Sequence, residues 1–141
     1  MFNNNKDFDF DLSKGKLNEK SIATILGLSE DKFECKHERD FWKVSGNLCI
    51  EIESYGKKSG LKSTKAKYWC HSFNNEDYII GLIVIEVIIL KQIVKNFLFK
   101  NKHNTKKVVR MLGDNKASKC VLIPMSEFID LWRKVNVKKT K

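Results

Sequence analysis

The hexapeptide Leu48-Cys49-Ile50-Glu51-Ile52-Glu53 alternates apolar and acidic residues over its second half, and this pattern restricts both its conformation and its neighbours. Side chains of a β-strand point to opposite faces in turn, so Leu48, Ile50 and Ile52 share one side while Glu51 and Glu53 share the other. The apolar side asks for burial. The acidic side places two like charges on neighbouring positions, and a divalent cation is the usual compensation where such a face is not simply solvated. A wet edge-strand face is the plainer reading of an isolated Glu-x-Glu. Just upstream, Gly46-Asn47 reads as a turn. A strand ending near Asp40 would then double back beside the strand of the glutamates, and three acids would converge.

The rest of the chain can build one core around such a strand. It has 141 residues, 42% of them hydrophobic, with a single proline, which suits one globular domain. The run of residues 78–90 is strongly apolar but too short to span a bilayer and is interrupted by Glu86, so it reads as a core element rather than a membrane anchor. Cys35, Cys49, Cys70 and Cys120 form no C-x-x-C pair, and no secretory segment opens the chain; reduced thiols and a cytoplasmic setting are expected. His37, His71 and His103 lack ligand spacing, which disfavours zinc.

Charge is where the composition becomes specific. Lys and Arg total 27 against 17 Asp and Glu, a net +10, the footprint of a partner rich in phosphate. Lys57, Lys58, Lys62, Lys65 and Lys67 follow the acidic strand with no acid among them. Positive charge next to a carboxylate cluster is what a metal-dependent phosphodiesterase needs to hold its substrate. A second basic stretch, from Lys95 to Lys119, carries Lys100, Lys102, Lys106, Lys107, Arg110 and Lys116 against one acid, Asp114. For this stretch a solvated lysine-rich surface and phosphate contact weigh evenly.

Along the chain, residues 1–12 lack periodicity and read as a flexible arm. Residues 16–28 have helical spacing through Ile22, Ala23, Ile25 and Leu26, with Gly27 as terminator and Glu19 on the same face. Residues 32–38, 48–55 and 78–84 read as strands, with a further strand over 86–89. Residues 59–69 read as a loop running into a short helix or turn. Leu90, Ile93, Val94 and Phe97 have helical spacing. A short strand over 121–123 ends at Pro124, and Ser126 is placed to cap a last helix with Phe128, Ile129, Leu131 and Trp132 on its apolar face. Residues 133–141 form a basic tail, expected to be disordered.

A helix bearing an inward Glu, three strands with Asp and Glu-x-Glu, a helix and a further strand resemble the αβββαβ core of the PD-(D/E)XK nuclease superfamily. The resemblance runs from Glu19 to Trp132 and is most specific from Asp40 to Trp69. Small phage and resolvase-like members show a similar run of Asp40, Gly46-Asn47, Glu51-Ile52-Glu53, Ser59-Gly60 and Thr64-Lys65-Ala66-Lys67-Tyr68-Trp69. It implies an α/β, restriction-endonuclease-like fold with a mixed central sheet flanked by helices, spanning residues 13–132. It also implies a Mg²⁺-dependent deoxyribonuclease, with Mn²⁺ as a substitute. DNA would be the partner, the enzyme being phage-like or branched-DNA resolving, and a homodimer is one way such proteins cut two strands.

The resemblance also assigns roles. Asp40, Glu51 and the carbonyl of Ile52 would hold the metal, with Glu19 as an outer ligand. Glu53 would act as general base or take a second metal, and Lys57, Lys58, Lys62, Lys65 and Lys67 would contact nucleic acid. One departure is plain: the common pattern ends Glu-x-Lys, and here that lysine is Glu53. Lys65 or Lys67 would have to supply the ammonium, with Lys65 preferred. The alternative is a DNA-binding module on a catalytically decayed nuclease fold.

Overall fold

The computed structural model describes residues 23–24, 26–29, 32–38, 41–75 and 78–136. The protein is a mixed α/β chain. In order, β1 is Phe33–Glu38, α1 Phe41–Ser45, β2 Asn47–Ser54, β3 Lys57–Lys58, β4 Tyr68–Asn75, β5 Tyr78–Glu86, α2 Val87–Lys100, α3 Thr105–Val108, β6 Val109–Leu112, β7 Ser118–Pro124 and α4 Met125–Asn136. The chain divides into two compact units, one of Met1–Ser45 with Ala66–Glu86 and the other of Gly46–Lys65 with Val87–Lys141. Among the described residues no helix is long and apolar enough to cross a membrane. None of the four cysteines forms a disulfide.

The first unit holds a three-stranded sheet of order β1-β4-β5, with β1 parallel and β5 antiparallel to β4. As the central strand, β4 is buried on both faces from Trp69 to Phe73, so its run of aromatic and small residues shows no alternation. Ala23, Phe33 and Cys70 make a buried cluster, joined by Cys35, Tyr68 and Val84. Residues 23, 24 and 26 are helical, and Gly27 ends that helix at φ +66 with the Leu28 amide donating to the Ala23 carbonyl at 3.0 Å. A bond of that span with glycine at the left-handed position is how such a helix stops. On the sheet, Trp69 and His71 project to the same side as Phe73. The Trp69 indole N–H donates to His71 Nδ1 at 3.1 Å, and His71 Nε2 lies 2.9 Å from Glu38 Oε1.

The second unit holds a four-stranded antiparallel sheet of order β3-β2-β7-β6. Leu48 faces Ile123 and Ile50 faces Val121 across the β2–β7 ladder, and all four are buried. Each such side chain contributes about 1.5–3 kcal/mol by leaving water. In α2 the stripe Leu90, Ile93, Val94 and Phe97 is buried as its spacing predicts, and α2 packs on α4. Val87 begins that helix directly after β5, so residues 86–89 are not a separate strand.

Further expectations are corrected. Residues 41–45 are helical, and β2 pairs with β3 and β7, so the turn at Gly46-Asn47 does not lead a strand back along β2. Residues 68–75 are a strand; aromatic side chains at Tyr68, Trp69 and Phe73 favour one, and burial on both sides hides the period. Ile129 is 53% exposed on α4, whose buried side runs through Phe128 and Val135. That helix begins at Met125, one residue before the expected cap Ser126, and runs through residues 133–136, the start of the expected tail.

Candidate functional site

Along β2 the side chains of Leu48, Ile50 and Ile52 are buried, and Glu51 and Glu53 between and after them are half-buried. The ladder to β7 is broken between them: Glu51 faces Cys120 and Glu53 faces Lys119, with Ile52 as the extra residue of a bulge. A bulge leaves its residue out of the ladder and changes where the neighbouring side chains aim. The Ile52 carbonyl is taken up by the Ser59 amide at 3.1 Å. Ser59 then donates its hydroxyl to Glu51 Oε1 at 2.5 Å.

The residue after Ser59 explains why this loop sits so close. A Cβ on Gly60 would lie 2.3 Å from the Glu51 carbonyl oxygen, and Gly60 has φ +51, so no other residue fits without displacement. A single 3₁₀ turn, Gly60–Lys62, follows, anchored by the buried Leu61. It brings Lys62 Nζ to 2.9 Å from Glu53 Oε1. From β7, Lys119 Nζ stands 3.6 Å from Glu53 Oε2. The hydrogen bond from Lys62, reinforced by the charge of Lys119, holds the Glu53 carboxyl below the usual glutamate range, overcoming partial desolvation, which acts the other way.

The expected site residues therefore fall out as follows. Glu51, Glu53 and the Ile52 carbonyl share one short piece of β2. Lys57 and Lys58 are exposed on β3, facing Ser54 and Glu53. Lys62 is engaged with Glu53. Lys65 is exposed, and among the described residues no ion pair joins it to either glutamate. Lys67 belongs to the first unit, where its Nζ lies 5.3 Å from the Tyr68 ring centre. Asp40 and Glu19 lie outside the described residues. Lys119 is the residue that sequence reasoning missed; only the β2–β7 register brings it opposite Glu53.

A hard cation such as Mg²⁺ takes oxygen donors, and carboxylate and carbonyl are of the right type. Their number is not. Among the described residues no three His, Cys, Asp or Glu side chains form a group able to hold a metal ion. Glu53 is flanked by two ammonium groups, and the Ile52 carbonyl already accepts an amide. The described donors alone do not fit a metal.

Charge is divided sharply between the two units. The one carrying β2 has 18 Lys and Arg against five Asp and Glu, a net +13, whereas the other has nine against 12, a net −3. The chain's whole positive excess thus belongs to the unit that presents Glu51 and Glu53. Comparison with protein-family models, with curated proteins and with solved structures finds no match to the chain.

Proposed function

We propose that the protein is a divalent-metal-dependent endonuclease that hydrolyses DNA phosphodiester bonds, of the PD-(D/E)XK type with a restriction-endonuclease-like arrangement. The observation that carries this reading is the pair Glu51 and Glu53 close together on β2, both engaged by the loop of residues 59–62, inside a unit of net charge +13. Positive charge draws the phosphate backbone to this unit. Lys62 and Lys119 offer ammonium groups to phosphate oxygens, and Glu51, steadied by Ser59, is the carboxylate held for work at the reacting centre. In the nuclease family that this reading follows, Mg²⁺ would supply an activated water and offset charge on the phosphate. The ammonium that the usual Glu-x-Lys motif provides is then Lys62 or Lys119.

A second reading has its own observation. Glu53 sits between two lysines and has its carboxyl held low, an arrangement that neutralises the carboxylate and suits a DNA-binding module without catalysis. Incubating the protein with plasmid, branched and single-stranded DNA in Mg²⁺ or Mn²⁺ separates the two. The nuclease reading expects metal-dependent cleavage that Asp40→Ala and Glu51→Ala abolish while DNA binding persists. Binding without cleavage of any substrate leaves the module.

A further inference from the structure

The hairpin that joins β2 to β3 has a loop of only two residues, because Ser54 pairs with Lys57 across it. Both loop residues have positive φ, Tyr55 at 50° and Gly56 at 74°. This is the sign pattern of a type I′ turn, whose first position favours Asn, Asp or Gly. A bulky aromatic side chain there is an outlier, because its Cβ crowds the backbone in the left-handed region. Backbone strain of this kind is worth asking a function of.

Tyr55 is 72% exposed. Its amide donates to the Ala117 carbonyl at 2.9 Å, which ties the turn to the neighbouring chain and leaves the ring outside. The exposed Lys57 and Lys58 follow directly. Tyr55 follows the last residue of β2 directly, two residues after Glu53.

We propose that Tyr55 is a stacking residue for an unpaired nucleobase, with Lys57 and Lys58 holding the adjoining phosphates. This rests on the reading of the protein as a DNA-binding one and narrows it: the ligand is DNA with an unstacked base, single-stranded or at a branch, rather than plain duplex. A ring at the tip of a rigid two-residue turn reaches a base face without the entropy cost of ordering a long loop. Every base offers that face, so recognition is by structure and not by sequence. A paired base inside a duplex keeps both its faces covered by its neighbours.

The full chain with Tyr55→Asn, Tyr55→Phe and no substitution tests this by fluorescence anisotropy on labelled oligothymidine and on a duplex of equal length. Tyr55→Asn suits the turn, so the variant is expected to fold and to melt at a higher temperature than the parent. It should bind oligothymidine about tenfold more weakly and duplex within about twofold of the parent, while Tyr55→Phe matches the parent on both. Photo-crosslinking to an oligomer containing 5-iodouracil should map to Tyr55. Equal oligothymidine affinity in Tyr55→Asn overturns the stacking role while leaving DNA binding intact. A parent protein that binds neither DNA overturns the DNA reading and the stacking role together.

Discussion

Ser59 donates its hydroxyl to Oε1 of Glu51 at 2.5 Å, while its own amide closes on the carbonyl of the next residue along the strand, Ile52. One residue of a loop thereby fixes both the backbone and the side chain of the acidic strand. Replacing Ser59 by Ala removes the hydroxyl bond and leaves the amide bond in place. The expected loss of stability is about 1 kcal/mol, read by urea unfolding, and Ser59→Thr should recover it. If the proposed nuclease reading holds, single-turnover cleavage falls in Ser59→Ala at unchanged DNA affinity.

Gly60→Ala meets a harder obstacle. Its Cβ would be 2.3 Å from a backbone oxygen, at a positive φ that alanine rarely adopts. Backbone cannot swing aside as a side chain can, so a cost of about 3 kcal/mol is expected from overlap and strain combined. A urea midpoint unchanged from the parent would show that the loop does not lie against Glu51.

Glu53 provides a pH test. Its carboxyl is held below the usual glutamate range, first by the hydrogen bond from Lys62. A folded-state value below the unfolded one favours folding above the unfolded glutamate range, and that contribution disappears as pH falls through the depressed folded value. Lys62→Met should raise the Glu53 midpoint in a carboxyl-carbon NMR titration, and Lys119→Met should raise it less. Added salt should narrow both differences, since the pair faces solvent.

The buried His71 accepts the Trp69 indole N–H at Nδ1, so its own proton belongs on Nε2, toward Glu38. Nitrogen-detected NMR should report that tautomer. His71 is 3% exposed. Substituting Leu removes the acceptor of a buried indole N–H and one partner of a nearly buried carboxylate, with an expected cost of about 2–4 kcal/mol in chemical denaturation.

Lys57 and Lys58 test the electrostatic part of the DNA reading. Each lysine that neutralises a duplex phosphate contributes about 0.9 to the slope of log affinity against log salt. Changing both to Gln should flatten that slope accordingly, without altering preference among sequences. An unchanged slope would assign the phosphate contacts to other lysines.

Local pattern made several elements legible. The burial of Leu48, Ile50 and Ile52 in β2 follows from their alternation with less apolar residues, and the buried stripe of α2 follows from the spacing of Leu90, Ile93, Val94 and Phe97. Both signals arise from the contrast between a wet side and a dry one. Strand β4 offers no such contrast, because its neighbours in the sheet and both its faces exclude water. Residues 86–89 misled for a related reason: a run of β-branched residues keeps the look of a strand where the chain has already turned helical.

What the sequence decided by itself is that Leu48, Ile50 and Ile52 of β2 go inside while Glu51 and Glu53 stay nearer water, since apolar side chains at every second position ask for burial whatever the partner strand is. Which groups answer the acids was decided by tertiary structure. The β2–β7 register sets Lys119 opposite Glu53, and the tight approach of Gly60 lets Ser59 reach Glu51. Register and close approach depend on how separate segments pair, and residues distant along the chain leave no trace of that pairing in their own neighbourhoods.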